Sequence, residues 1–191
     1  ILNYEPIILC LFLILIIGIS HGSLDNIKGK KLLRLFGYKS ELFFYSVYLM
    51  ISLLIIILWL MFPNTVLLLF LIVAAYHFGK EDTVFSFKGR FLIAECLFFL
   101  KGSSVIIAPL FFQRDATNQI FKTLNFYVFE SSFFNDSLLI TLLFLSLLSS
   151  LCLSNKKDID LKAILIMDYL SIITLNYFLT PVLAFTLYFC F

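Results

Sequence analysis

The chain has 191 residues, of which 62% are hydrophobic and 14% charged, and its formal net charge is +2. An ordinary soluble domain is about half apolar and about a quarter charged, so this composition, with a mean hydropathy of +1.05, excludes that class. The charges fall in short stretches between long apolar runs and leave no basic face, so we expect no nucleic-acid partner. The pattern predicts an all-α, polytopic helical bundle in a lipid bilayer.

The apolar runs predict six complete transmembrane helices and the start of a seventh. A helix needs about 20 apolar residues to cross a bilayer, and the final run, from Pro181 to Phe191, is shorter. The chain also begins without an initiator methionine, so we expect a single transmembrane domain over residues 1–191 that is truncated at both ends. The predicted spans are Pro6–Gly22, Leu42–Phe62, Thr65–Gly79, Phe91–Phe112, Ser137–Leu153, Leu161–Leu179 and the run from Pro181.

Polar stretches connect the predicted spans. The first, Ser23–Glu41, is interpreted as a loop, and the longest, Gln113–Asp136, is expected to include a short amphipathic element at the membrane interface. The stretches after spans one, three and five carry five, three and three basic residues (the last count includes Lys162 at the start of span six), whereas those after spans two and four carry none and two. Because basic residues favour the cytoplasmic side, we expect a multi-pass protein of the cell (inner) membrane with its N-terminus outside.

The only two histidines, His21 and His77, occur near the ends of the first and third spans. At about 1.5 Å per residue, His21 lies roughly 22 Å from Pro6 and His77 roughly 20 Å from Asn64 along their helices. Both helices are predicted to enter the bilayer from the same side, so the two imidazoles are expected at nearly the same depth. This arrangement is a candidate metal site, because imidazole binds iron, copper and zinc.

Each histidine also lies in a frame of small residues, Gly18-xxx-Gly22 and Ala75-xxx-Gly79. Such frames let helix backbones approach closely, and close approach would bring ring nitrogens from two helices to one ion. The alternative is that both histidines are polar residues at a membrane boundary, bonded to water or to a backbone carbonyl. Spacing alone leaves both interpretations open, since two ligands do not complete a metal-binding pattern.

Three aspartates are candidate hydrogen-bond partners for these imidazoles. Asp25 follows the first histidine by four residues and shares its helical face if the helix continues that far, and Asp82 is a less direct candidate beside the second histidine. Asp168 lies roughly 12 Å along the sixth span by helix rise, close to the histidine level. It is either such a partner or the ion-pair partner of a neighbour such as Lys101. Glu95, near a helix end, is expected to reach the interface.

Two other functions fit the same features. The first is an electron carrier with a bis-histidine haem between two helices. The second is a membrane transporter or a rhodopsin-assembly factor without catalysis, in which the charged residues inside the spans mark a pathway. Transporters often contain repeated halves, and no internal repeat is visible in this sequence.

Two motifs resemble the signatures of a known family. The stretch Gly18–Asp25 (GISHGSLD) is similar to the G-x-P-H-G-A-x-D signature of the Brp/Blh family of bacterial and archaeal membrane β-carotene dioxygenases. The stretch Ala75–Gly79 (AYHFG), followed by Asp82, resembles that family's HFG signature with its nearby acidic residue. Ser20 and Ser23 stand where the family usually has proline and alanine.

The resemblance implies an enzyme that splits the central double bond of β-carotene with O₂ into two retinal molecules, often for a microbial rhodopsin. It implies non-haem Fe(2+) with His21 and His77 as two of its ligands. An aromatic-lined tunnel for the substrate could come from some of the 24 phenylalanines and nine tyrosines, most of which are expected to be ordinary core or lipid-facing residues. The family's third signature, a histidine pair, is absent and is expected just after Phe191. The chain as given is therefore expected to hold half a metal site and to be inactive.

Overall fold

The computed structural model describes residues 7–22, 25–35, 37, 41–81, 91–153 and 159–190. Within these ranges the chain is helical and contains no β-strand, so the all-α prediction is confirmed. A 3-10 turn covers Val128–Glu130. The helices are α1 (Ile7–Gly22), α2 (Asp25–Leu35), α3 (Glu41–Met61), α4 (Pro63–Glu81), α5 (Phe91–Phe112), α6 (Arg114–Thr123), α7 (Asp136–Leu153), α8 (Ile159–Phe178) and α9 (Pro181–Cys190).

Five of these helices, α3, α4, α5, α7 and α8, are long and apolar enough to cross a membrane. Helix α5 has the predicted bounds, and the other four begin and end within two residues of them. The predicted first and seventh spans are helical as well, but their apolar parts, Ile7–Ile17 and Pro181–Cys190, are shorter. The described residues therefore support five of the six complete spans that the sequence predicts.

The stretch that the sequence suggested as a loop after the first span contains a helix, α2, of eleven residues. Its sequence, DNIKGKKLLRL, is polar enough to resemble a loop. Lysine, leucine and arginine nevertheless all have high intrinsic helix propensity. The loop interpretation was wrong because it followed charge and not propensity.

The longest predicted connection contains the helix α6, as the expected amphipathic element. The ion pairs Lys122–Glu130 (2.6 Å) and Arg114–Asp136 (2.8 Å) hold this segment together. The hydrogen bond with Glu130 also raises the pKa of Lys122 above its usual value. Four phenylalanine rings of the same segment pack against one another, with centroid distances of 4.8 to 5.4 Å between Phe121, Phe126, Phe129 and Phe134.

Helix α5 is the centre of the bundle, because it packs against α4, α6, α7 and α8. Helix α1 packs mainly against α9, whereas α3 contacts mainly α2 and α4 and leaves its apolar surface exposed. One buried core cluster joins α5 to α7 and α8 through Ile107, Ala108, Leu110, Leu139, Leu143 and Ile172.

The backbones of α4 and α5 are in direct contact where Ala75 and Gly79 face Gly102. A Cβ atom on Gly102 would lie 1.9 Å from the carbonyl oxygen of Ala75 and 2.4 Å from the amide nitrogen of Gly79. Ala75 itself is 1% exposed. The small-residue frame around His77 therefore allows close helix approach, as predicted, and the helix that approaches it is α5.

A buried ion pair joins α5 to α8 one residue before this contact. Lys101 Nζ lies 3.0 Å from Asp168 Oδ2, and the two side chains are 4% and 18% exposed. The Lys101 carbonyl accepts hydrogen bonds from Ser104 Oγ (2.8 Å) and from Ser146 Oγ of α7 (2.9 Å). Of the two roles that the sequence left open for Asp168, the structure confirms the ion pair with Lys101.

We predict that Gly102→Ala destabilises the bundle by roughly 1–3 kcal/mol, the usual cost of adding volume to a well-packed site. Its new methyl group would meet backbone atoms of α4, which cannot rotate away. Gly29→Ala is the matched control, since the atoms nearest to its new methyl group belong to the movable ring of Phe44. Thermal unfolding of both purified variants in one detergent measures the difference, and equal losses of stability would contradict the close α4–α5 contact.

The buried ion pair gives a second prediction. Lys101→Met and Asp168→Leu should each destabilise the protein by about 3 kcal/mol, because each leaves a buried charge without its ion-pair partner. The double variant should lose clearly less than the sum of the two single losses. Denaturation of all four proteins completes the cycle, and additive losses would show that the two side chains do not interact.

Candidate functional site

One cavity of about 620 Å³ lies between α1, α4, α5, α6, α8 and α9. Its volume is within the range of small-molecule binding sites. Aliphatic and aromatic side chains form most of its wall, and the polar side chains in the wall are those of His77, Thr117, Asn176 and Tyr188. A cavity of this character suits an apolar ligand that carries few polar groups.

The cavity has two ends with different polar groups. The end with His77 and Tyr188, here called the histidine end, lies beside the α4–α5 backbone contact. Gly102 marks this level on α5, and Pro109 of the cavity wall lies seven residues further along the helix, or about 10 Å. The end with Pro109 and Asn176, here called the amide end, is bordered by α6.

His77 lies in the cavity wall and is exposed. Its ring meets Phe78 edge to face at 5.8 Å, and Phe78 contacts Phe185 and Tyr188 of α9 at centroid distances of 6.2 and 5.9 Å. These aromatic contacts hold α9 at the histidine end. The imidazole is therefore accessible to a ligand in the cavity, and imidazole nitrogens are suitable donors to a metal ion.

Three other predicted site residues fall partly or wholly outside the described residues. The backbone of His21 lies in the last turn of α1, but its side chain is not among those described. Asp25 is the first residue of α2, with its side chain likewise outside the description, and Asp82 lies outside it altogether. Residues 23–24, which join α1 to α2, also lie outside the described residues, so the predicted pairing of Asp25 with His21 stays a prediction.

A complete metal site is not formed by the described ranges alone, which contain no group of three or more His, Cys, Asp or Glu side chains that could hold an ion. Asp168 does not line the cavity and is engaged with Lys101. His77 is thus the one predicted ligand whose side chain the structure describes. The two-histidine metal site stays a prediction.

A polar cluster beside His77 was missed from the sequence. The Tyr76 hydroxyl donates a hydrogen bond to Glu95 of α5, and Lys80 donates one to the Tyr76 hydroxyl oxygen. Lys80 Nζ also lies 3.6 Å from Glu95 Oε1. Glu95, for which the sequence predicted only a position at the interface, forms these contacts with α4. The sequence feature that could have indicated this cluster is the spacing of Tyr76 and Lys80, which are four residues apart and share a helical face.

The polar groups at the amide end have no counterpart among the sequence-based predictions. Thr117 Oγ1 donates to the carbonyl oxygens of Pro109 (3.0 Å) and Gln113 (2.8 Å), and Asn176 Nδ2 donates to that of Ile172 (2.8 Å). Pro109 within α5 was a signal for this end, because a proline inside a helix removes a donor and frees a carbonyl in the preceding turn.

Comparison with known proteins identifies the family. No curated protein and no solved structure matches the chain. A family model described as beta-carotene 15,15'-dioxygenase matches residues 12–191, a range that contains both histidine motifs and every residue that lines the cavity. The match agrees with the resemblance of these motifs to the Brp/Blh signatures. The chain therefore belongs to the beta-carotene 15,15'-dioxygenase family.

Proposed function

We propose that this protein is an oxygenase that cleaves the central double bond of β-carotene with O₂ and releases two molecules of retinal. The observation that carries the proposal is the apolar cavity with His77 at one end, in a chain whose family is named for this reaction. Each carbon of the broken double bond takes one oxygen atom of O₂ and becomes an aldehyde. The reaction therefore needs no further oxidant or reductant.

The character of the cavity supports a polyene substrate. β-Carotene is a hydrocarbon that is dissolved in lipid, and lipid chains are as apolar as the cavity wall, so the hydrophobic effect gives little net binding energy. Binding must then come from shape and from dispersion contacts, which are small singly and large in sum. The rings of Phe70, Phe121 and Phe185 in the wall offer flat apolar faces for such contacts.

We further propose that His77 and His21 bind a non-haem Fe(2+) at the histidine end, with Asp25 and Asp82 as hydrogen-bond partners of the imidazoles. The donor type fits, because imidazole is a common ligand of iron. Position 21 follows Ile14 of the cavity wall by seven residues, and positions two turns apart share one face of a helix. When bound, the iron would supply the activation of O₂ that the cleavage requires.

The chain's own contribution is to fix the place where the double bond is presented. Gly79 holds α4 against the backbone of α5, and Tyr76 and Lys80 bind Glu95 on the same helix. These contacts restrain α4 against sliding and rotation, so that the imidazole of His77 keeps its position in the cavity wall. The apolar wall also excludes water from the reacting carbons.

The proposed setting is the cell (inner) membrane, which the protein crosses several times with its N-terminus outside. The five long apolar helices are compatible with a membrane protein. The basic residues of α2 favour a cytoplasmic position for the connection after α1. A functional link to a microbial rhodopsin, which would bind the retinal formed, stays a prediction.

We expect the full-length protein to bleach the pigment of a β-carotene-producing cell and to form retinal. His77→Ala and His21→Ala should each lower both the retinal yield and the bound iron by at least about tenfold, because each removes a proposed ligand. Ile72→Ala is the matched control, since Ile72 is an exposed residue of α4 outside the cavity wall. Retinal is quantified by chromatography and iron by mass spectrometry, and a His77→Ala protein with normal retinal yield would remove His77 from the site.

Filling the cavity should separate substrate binding from iron binding. Ile106→Trp places a large ring in the cavity wall on α5 and should lower the retinal yield about tenfold, a loss within the usual cost of overpacking. Its iron content should stay at the wild-type value. Ile93→Trp is the control, because Ile93 is exposed on the same helix and outside the cavity. Normal retinal formation by Ile106→Trp would show that the substrate binds elsewhere.

A further inference from the structure

The side-chain amide of Asn176 is buried, 7% exposed, in the wall of the cavity. An asparagine amide carries two N–H donors and an oxygen that accepts two hydrogen bonds. Among the described residues its one hydrogen bond is the donation to the Ile172 carbonyl. The second N–H and the amide oxygen are therefore left for a partner within the cavity, since unpaired buried polar groups are costly.

A second feature of the amide end is a backbone carbonyl that lacks its usual donor. Pro109 has no N–H, so the carbonyl of Val105, four residues earlier in α5, cannot receive the regular helical hydrogen bond. Val105 and Pro109 both line the cavity. The hydroxyl of Thr117 uses its proton on neighbouring carbonyls and remains an acceptor. The amide end thus offers several acceptors and one N–H donor.

The amide end lies far from the histidine end along the bundle. Asn176 follows Asp168 by eight residues, or about 12 Å of helix, and Asp168 pairs with Lys101 at the level of the α4–α5 contact. The helix that borders the amide end, α6, carries charged residues such as Arg114 and Lys122. A carotenoid with its central double bond at His77 would therefore place one end ring near the amide end, and its other half would extend beyond the histidine end of the cavity.

We propose that the amide end binds a hydroxyl group on the end ring of a carotenoid, so that the protein prefers a ring-hydroxylated carotenoid to the plain hydrocarbon. The polyene identity rests on the proposed function, whereas the hydroxyl is inferred from Asn176 and Val105. A hydroxyl group fits because it both donates and accepts, so it donates to a free oxygen acceptor and accepts from Asn176 Nδ2–H. An unsubstituted ring leaves these groups unpaired, which is how a polar site discriminates against the analogue that lacks the group.

Competition between carotenoids tests the proposal in the full-length protein without any mutation. The protein is equilibrated without O₂ in detergent micelles that contain equal amounts of β-carotene, its derivative with one ring hydroxyl, and the methyl ether of that derivative. We expect about fivefold enrichment of the hydroxylated carotenoid in the purified protein, in line with one net hydrogen bond. The methyl ether, which has no proton to donate, should bind less well than the alcohol. Equal or stronger binding of the hydrocarbon, or of the ether, would overturn the proposal.

Variants then assign the preference to the amide end. Asn176→Leu should abolish the enrichment, whereas Thr174→Leu, which removes a polar group from an exposed position of the same helix outside the cavity, should retain it. An Asn176→Leu protein that keeps the full preference would overturn the assignment to the amide end. If this variant does not fold, the competition between carotenoids in the wild-type protein still tests the proposed preference. Retinal formation after O₂ is admitted is scored separately. Binding preference without cleavage would contradict the proposed oxygenase and leave the hydroxyl site standing.

Discussion

The direct contact between the backbones of α4 and α5 fixes the arrangement of the central helices. Only glycine allows it, since any Cβ atom at Gly102 would overlap the backbone of α4. The neighbouring residue, Lys101, binds Asp168 of α8 through its side chain and Ser146 of α7 through its carbonyl. One turn of α5 therefore fixes the positions of α4, α7 and α8 along the bundle. It also fixes the position of His77, which lies between the two α4 residues in the contact.

We propose that the cavity that results places the chemistry at its histidine end and the recognition of the ligand's ring at its amide end. A lipid-soluble polyene gains little from leaving the bilayer, so an apolar wall alone gives weak selectivity among carotenoids. Selectivity must come from the few polar groups that the wall contains, because an unpaired buried amide or carbonyl penalises every ligand that cannot bond to it. Among the described side chains, His77 supplies an imidazole at one end of the cavity, and Asn176 supplies a partly unpaired amide at the other.

Five of the spans were predictable because hydrophobicity and length determine them, and α5 has the predicted bounds. The helix α2 was not predicted, because its many charged residues were interpreted as a loop despite their high helix propensity. His77 could be identified as a candidate site residue from its motif. The cavity around it could not be predicted, because six helices form the cavity wall and the hydrophobic periodicity of a sequence does not show how helices pack together. Tyr76 and Glu95 are 19 residues apart and meet only through the α4–α5 contact. Depth along the helix selected Asp168 as a candidate but did not distinguish its two roles, and the structure pairs it with Lys101.

The central claim is that imidazole nitrogens, His77 among them, hold iron at the histidine end of the cavity. X-ray absorption at the iron edge of the purified full-length protein tests it most directly, because imidazole rings produce a characteristic scattering pattern beyond the first coordination shell. We expect iron with imidazole scattering, and a weaker imidazole contribution per iron in His77→Ala. Iron surrounded by oxygen or sulfur donors alone, or a spectrum that His77→Ala leaves unchanged, would contradict it.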